Sequence, residues 1–304
     1  MFQRRKVGLA LSGGGERGLA HIGVLKVLER YNIPIDFIAG TRIGAVVGAL
    51  YSAEPNAKKL EKEILSENIN KLFDYTFPKY GLIKGDKISK FLEEKLKNIT
   101  FKDLKIPLFV TSFDIEDNRE VIFCRGDVAK AVRSSISIPG VFVPVENNSR
   151  ILVDGGVVDP LPTEILRKRG AEIIIAVNVG FIKIKSLKCN EISATRKVDK
   201  KLPNIFETIL RALQIMNSEI SKADLLGGKA DLIINIELDK LHVRPLDFRK
   251  VQEAIKIGER YTKKSLEKIE KLTAPHPFKT FLNEINRIDK NIKIGKIVKE
   301  LKKV

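Results

Sequence analysis

Three glycine-rich turns and one carboxylate carry the chemical potential of this 304-residue chain. The first turn is Gly13-Gly14-Gly15-Glu16-Arg17-Gly18, which follows the apolar run Val7 to Leu11 and precedes a stretch with helical spacing. Glycines at such a junction let backbone N–H groups converge at a helix N-terminus, where negative charge is stabilised. Read alone, the turn also matches G-x-G-x-x-G, the dinucleotide fingerprint. Asp36, where a ribose-binding acid would be sought, precedes its strand instead of ending it, so that match is weak.

The second turn is Gly40-Thr41-Arg42-Ile43-Gly44, between the apolar run Asp36 to Ala39 and a helical stretch from Ile43 to Tyr51. Small residues two positions either side of the centre suit a nucleophile elbow, whose tight turn has no room for Cβ atoms there. The centre of such an elbow should be serine, and here it is Arg42. The third turn is Val153-Asp154-Gly155-Gly156, an acid at the end of a short apolar strand. An acid so placed can serve as a general base.

The surrounding chain predicts the elements that must position these turns. Val7 to Leu11, Asp36 to Ala39, Leu108 to Phe113, Glu120 to Cys124, Ile151 to Val153 and Ile173 to Val177 read as strands. His21 to Arg30, Ile43 to Tyr51 and a stretch from Asp127 read as helices, and this alternation argues for an α/β fold with a mainly parallel sheet. Phe206 to Leu226 is expected to be helical and Asp231 to Ile236 to add a late strand.

The expected organisation is a core over residues 5–180 and a continuation of the same domain over 181–275. A basic amphipathic helix over 276–304 completes it. The lysine-rich segment from Ile182 to Leu202 reads as a loop. The formal net charge is +17, most of it from residues 181–304, which hold 28 Lys+Arg against 16 Asp+Glu. Such a balance favours partners bearing phosphate, and the terminal helix suggests an anionic membrane surface.

Other classes are disfavoured. Two cysteines, Cys124 and Cys189, cannot make a disulfide scaffold or a cysteine-rich zinc site, so no metal is expected and a reduced, cytoplasmic setting fits. No apolar run approaches the roughly 18 residues of a membrane span, so a cytoplasmic protein, peripheral at the membrane, is expected. There is no G-K-[ST] phosphate loop and little aromatic interleaving, which disfavours nucleic acid as a partner.

The three turns, in this order and spacing, resemble the patatin-like phospholipase family. The resemblance takes in Arg133-Ser134-Ser135-Ile136-Ser137-Ile138-Pro139-Gly140-Val141-Phe142-Val143-Pro144, which looks like that family's helix and proline turn before the acid, and it covers about residues 5 to 180. It implies a three-layer α/β/α fold with a mainly parallel central sheet and helices on both faces. It also implies a Ser–Asp dyad that cleaves carboxylic ester bonds of lipids without a cofactor. In that scheme Asp154 is the base and Gly13, Gly14, Gly15, Arg17 and Gly18 form the oxyanion loop. Gly40, Gly44, Gly155 and Gly156 shape the two turns, and the nucleophile position falls on Arg42.

The dyad needs no histidine. His21 is expected as a packed or hydrogen-bonded helix residue, and His242 and His276 at the surface. A protonated guanidinium has no lone pair to attack a carbonyl, so the chain as written is expected to be inactive, with Arg42 paired to Asp154. Thr41 and Ser12 lie off the apex and are poor substitutes, and Glu16 departs from the small or apolar residue commoner there. Two accounts of Arg42 stand side by side. One is a variant of a working enzyme, since serine and arginine codons can differ by one base. The other is a natural pseudoenzyme that keeps the fold to bind lipid or a protein.

Overall fold

The computed structural model describes residues 4–77, 79–182, 204–227, 229–238 and 248–274. Its centre is β1 (Val7–Leu11), apolar and buried at every position. A strand with no polar face must be covered on both sides, and parallel pairing with crossover helices supplies that cover. β1 pairs in parallel with β2 (Phe37–Gly40) and with β7 (Ile173–Asn178). The parallel set extends through β2 to β3 (Leu108–Asp114) and through β7 to β8 (Leu232–Asn235).

Beyond β3 the direction reverses. β4 (Arg119–Phe123) and β6 (Arg150–Asp154) both pair antiparallel with β3, and β5 (Val145–Asn147) pairs antiparallel with β6. The order is β5-β6-β3-β2-β1-β7-β8, with β4 beside β3. This reversal matters for the site. It brings Asp154, at the end of β6, opposite Ser112 of β3, close to the carboxyl ends of the parallel strands.

The period-2 alternation of the strands divides two cores. Val7, Leu9 and Leu11, with Ile173, Ile175 and Val177, enter the larger one under α1 (Ala20–Arg30), α2 (Ile43–Ala53) and α8 (Val251–Lys264). Ala10, Ala39, Ile174 and Ala176 face the smaller one, where Ile165 and Leu166 of α6 (Glu164–Lys168) pack. Helices therefore lie on both faces of a mainly parallel sheet, the three-layer α/β/α arrangement expected.

Helices α1 and α8 cross at bare backbone. A Cβ added at Gly23 would lie 2.0 Å from the Ile255 carbonyl oxygen, and one at Gly258 would lie 2.1 Å from the Ala20 carbonyl oxygen. Lys26 ties the crossing by ion pairs to Glu259 of α8 (2.5 Å) and to Glu61 (2.6 Å) of α3 (Ala57–Ser66). Each glycine is the clearance for the partner helix, and the lysine closes the edge of the contact.

The strand–helix alternation does not predict α3, α4 (Asp86–Leu96), α6, α8, α9 (Leu266–Thr273) or β5. In α3 only Ala57, Leu60 and Ile64 are buried, and in α4 only Ile88, Leu92 and Leu96. The three buried positions keep helical spacing, but the stripe is narrow and set among many charges. The expected stretch at Phe206 to Leu226 falls on α7 (Ile205–Leu226), and the helix from Asp127 on α5 (Val128–Ser135). The basic helix over 276–304, almost all of the expected loop over 182–202, and His242 and His276 lie outside the described residues.

Candidate active site

The elbow is built by two glycines. A Cβ on Gly40, the last residue of β2, would lie 2.6 Å from the Gly44 carbonyl, and one on Gly44 would lie 2.2 Å from the Leu11 carbonyl oxygen. Only with both Cβ atoms missing can the chain turn from β2 into α2 so tightly. At the apex Arg42 has φ 56° and ψ −123°, a conformation L-residues adopt rarely. Such a geometry costs on the order of 1–3 kcal/mol and persists only where its surroundings enforce it. Here the Arg42 N–H donates to Ser135 Oγ (3.0 Å). The Thr41 hydroxyl bonds both Thr111 Oγ1 (2.6 Å) and the Asp159 carbonyl (2.9 Å).

Across from the apex, Asp154 is fully buried. Its backbone N–H donates to the Ser137 carbonyl (3.0 Å), and its Oδ1 accepts the Gly156 N–H (2.7 Å). Its Oδ2 accepts from Arg42 Nε, so guanidinium and carboxylate form a buried ion pair. Burial pushes the Asp154 carboxyl above its ordinary value, against the opposing pull of the Arg42 charge and of these hydrogen bonds. Gly155 and Gly156 are clearance again. A Cβ on Gly155 would lie 2.6 Å from the Thr111 backbone, and one on Gly156 2.9 Å from Arg42 Cζ.

The Gly-rich loop opens a 3-10 turn, Gly15–Leu19, that leads directly into α1. Gly13 departs from the expectation of an oxyanion donor. Its N–H donates to the Pro160 carbonyl (3.0 Å), and a Cβ there would lie 2.8 Å from Arg42 Cδ, so its contribution is room for the residue at position 42. A Cβ on Gly18 would overlap Ile43 at 1.8 Å, so Gly18 lets the loop lie against the elbow. Gly14 and Gly15 stand at the start of the turn with Glu16 buried behind them. Arg17 lines the neighbouring cavity together with Gly14 and Arg42.

His21 is buried, with Nε2 2.9 Å from the Ser12 carbonyl. With a carbonyl as partner, Nε2 carries the proton and donates. Burial pushes its pKa down to about 4, so the ring is neutral at pH 7 and acts as a strut under the Gly-rich loop. Ser12 is buried, and its Oγ accepts the Val179 N–H (2.9 Å), which agrees with a structural role.

Two cavities meet at Arg42. One is walled by apolar side chains that include Leu19, Ile43, Val46, Ile136, Phe142 and Phe248. The other is a narrow cleft lined by glycines and polar side chains, Gly13, Gly14, Arg17, Asn178, Asn217 and Ser218 among them. Within it Asn217 Nδ2 is a buried donor with no hydrogen-bond partner among the described residues. Ser135, Ser137 and Asn217 are site residues that motif reading passes over. Ser135 and Ser137 lie within the stretch that carries the resemblance, whereas nothing in the local sequence marks Asn217.

An elbow entering a helix after a buried parallel strand, faced by a buried carboxylate, is the frame of a two-residue nucleophile–base site. The model of the patatin-like phospholipase family matches residues 9–167. That is just over half of this chain, and the chain belongs to this family. It is 39% identical over 189 residues to lysophospholipase NTE1 of Candida albicans, a match spanning 60% of this chain and 14% of that one. It is 35% identical over 187 residues to neuropathy target esterase sws of Drosophila melanogaster, over 57% of this chain and 13% of that one. The match thus spans about one seventh of these relatives' own length. Among solved structures, VipD from Legionella pneumophila superposes with a TM-score of 0.56 at 15% identity, over 88% of this chain and 67% of that one, which supports the fold.

Proposed function

We propose that this chain is a lipid acyl hydrolase frame of phospholipase or esterase type, disabled as written by Arg42. The observation that carries the reading is the buried Arg42–Asp154 ion pair at the elbow apex. It sets a buried carboxylate facing the nucleophile position and occupies that position with a group unable to attack. With a hydroxyl at position 42, Asp154 accepts its proton as the oxygen bonds to the ester carbonyl carbon. The negative charge on the carbonyl oxygen falls to N–H groups of the Gly14–Gly15 turn, and the alcohol leaves with the proton from Asp154. Water, deprotonated by the same carboxylate, then releases the acid. Apart from that hydroxyl, each step is served by this chain's own residues, and the reading invokes no cofactor.

The two cavities support a lipid ester as substrate. The apolar one suits an acyl chain, and the polar one, with Arg17 and the unpartnered Asn217 amide, suits a headgroup or glycerol oxygen. The excess charge of residues 181–304 supports peripheral attachment to an anionic membrane from the cytoplasmic side.

The test is hydrolysis of a short-chain nitrophenyl ester by this chain and by Arg42→Ser, each shown to be folded by circular dichroism. Activity is expected only in the variant, and Asp154→Asn added to it should abolish that activity. Turnover by the chain as written would show that the nucleophile lies elsewhere.

A second reading is a pseudoenzyme that holds lipid without cleaving it, favoured by the apolar cavity persisting beside a neutralised dyad. A folded but silent Arg42→Ser, binding a fluorescent fatty acyl probe, would select it.

A further inference from the structure

We infer that the loop between Phe73 and Ile83 is a membrane-docking element that presents the apolar cavity to an anionic bilayer. Three of its aromatic side chains stand in solvent: Phe77 is 85% exposed, Tyr75 74% and Tyr80 65%. Three aromatic rings within six residues are held out where a core would ordinarily take them, and such a contiguous exposed group marks an interaction site.

The loop is built to hold them there. Asp74 accepts the N–H groups of Gly85 and Asp86 (both 2.8 Å), and the N–H groups of Leu82 and Ile83 donate to the Val141 carbonyl (2.9 and 2.8 Å). Thr76 N–H bonds the Leu82 carbonyl (2.9 Å), which closes the base of the loop below the tip. A fixed base with an aromatic tip loses little conformational freedom on docking.

Two features select a bilayer as the occupant. First, Lys71, Lys79, Lys84 and Lys87 are exposed in the loop or in the residues flanking it, against one exposed acid, Asp86, which pairs with Lys84 (2.5 Å). That collar complements anionic headgroups, while phenylalanine and tyrosine suit the interfacial region beneath them. Second, the root of the loop is the wall of the apolar cavity. Phe73 and Phe142 line it, Ile83 bridges to Phe142, and a Cβ on Gly81 would lie 2.6 Å from the Phe142 backbone. The exposed aromatic tip and this stretch of cavity wall therefore belong to one loop, so docking at the tip sets the cavity beside the bilayer.

The inference deepens the functional reading above by naming the surface that meets the lipid. It is tested without turnover, so an inactive Arg42→Ser leaves it standing.

The chain contains no tryptophan, so Phe77→Trp in the full chain is a single reporter at the tip. Its emission should shift to the blue with phosphatidylcholine vesicles containing phosphatidylglycerol. Tyr31→Trp, just beyond the far end of α1, should not shift. Phe77→Ser with Tyr80→Ser should lower co-sedimentation with the same vesicles at least tenfold, while circular dichroism stays unchanged. Three results would each overturn the inference. One is an unshifted Phe77→Trp in a chain that still sediments, which would place docking on another surface. Another is no sedimentation by the native chain. The third is a blue shift that follows protein concentration without vesicles, which would make the tip a protein contact.

Discussion

Arg42, at the apex of the elbow, and Asp154, at the end of β6, lie 112 positions apart in sequence and form one buried ion pair. Asp154 is fully buried and Arg42 is only 8% exposed, so neither charge has water to turn to if the other is removed. Breaking a buried pair by deleting one partner typically costs about 3–5 kcal/mol.

Arg42→Ser should therefore become strongly pH-dependent in stability. Burial already holds Asp154 above its ordinary value of 3.8, and loss of the neighbouring cation raises it further. A carboxyl raised on folding keeps its full stability below its unfolded value and loses it as pH rises through the folded value. Thermal melts of Arg42→Ser should fall as pH rises above the ordinary carboxyl value of 3.8, more steeply than those of the native chain, and Asp154→Asn added to it should flatten the slope. Parallel slopes in native and Arg42→Ser would deny Arg42 its role as counter-charge.

Ser135 accepts the N–H of the strained apex residue. Ser135→Ala leaves that buried donor without its acceptor, at a cost of about 1–3 kcal/mol. In an Arg42→Ser background the same change should lower kcat with little effect on KM, because the orientation of the nucleophile is lost while the apolar cavity is untouched. A change in KM alone would place Ser135 outside the catalytic geometry.

His21 contributes on the acid side. Burial lowers its pKa from 6.5 to about 4, so below pH 6.5 the unfolded chain binds a proton that the folded chain refuses. Stability should fall as pH drops from 6.5 towards 4, by about 3 kcal/mol from this residue. His21→Gln keeps an N–H for the Ser12 carbonyl and cannot titrate. Urea unfolding at pH 7 and pH 4.5 should show a smaller loss in that variant, and an unchanged loss would assign the acid sensitivity elsewhere.

Gly23→Ala should destabilise the chain by about 1–3 kcal/mol or more, since the added methyl would sit 2.0 Å from the Ile255 carbonyl oxygen. Gly258→Ala, against Ala20, should cost a similar amount. Gly126→Ala is a useful contrast: nothing lies within 4 Å of its Cβ, so its penalty comes from the positive φ of 84° alone. Denaturation midpoints should fall for all three, and an undiminished midpoint for Gly23→Ala would mean that α1 and α8 cross elsewhere.

The central strands of the parallel sheet, β2, β1 and β7, announce themselves as short apolar runs because both faces are buried. The turns are equally legible, since Gly40, Gly44, Gly155 and Gly156 stand where backbone or side chains approach too closely for a Cβ. Helices α3 and α4 escape notice because each buries one narrow stripe against a strongly charged remainder. The aromatic tip at Phe77 escapes notice too, since in sequence it reads as one more apolar residue to bury.

Residue types and order by themselves determined that this chain has a tight strand-to-helix turn with arginine at its apex and an acid at the end of a strand, because those constraints are local and steric. Only the tertiary structure decided that Ser135 steadies the apex, that Gly13 supplies space in place of an N–H, and that apolar and polar cavities meet at Arg42. Those relationships join segments tens to hundreds of residues apart. Their energies come from burial and hydrogen-bond geometry, which take their values only when the sheet has closed and water has left the site.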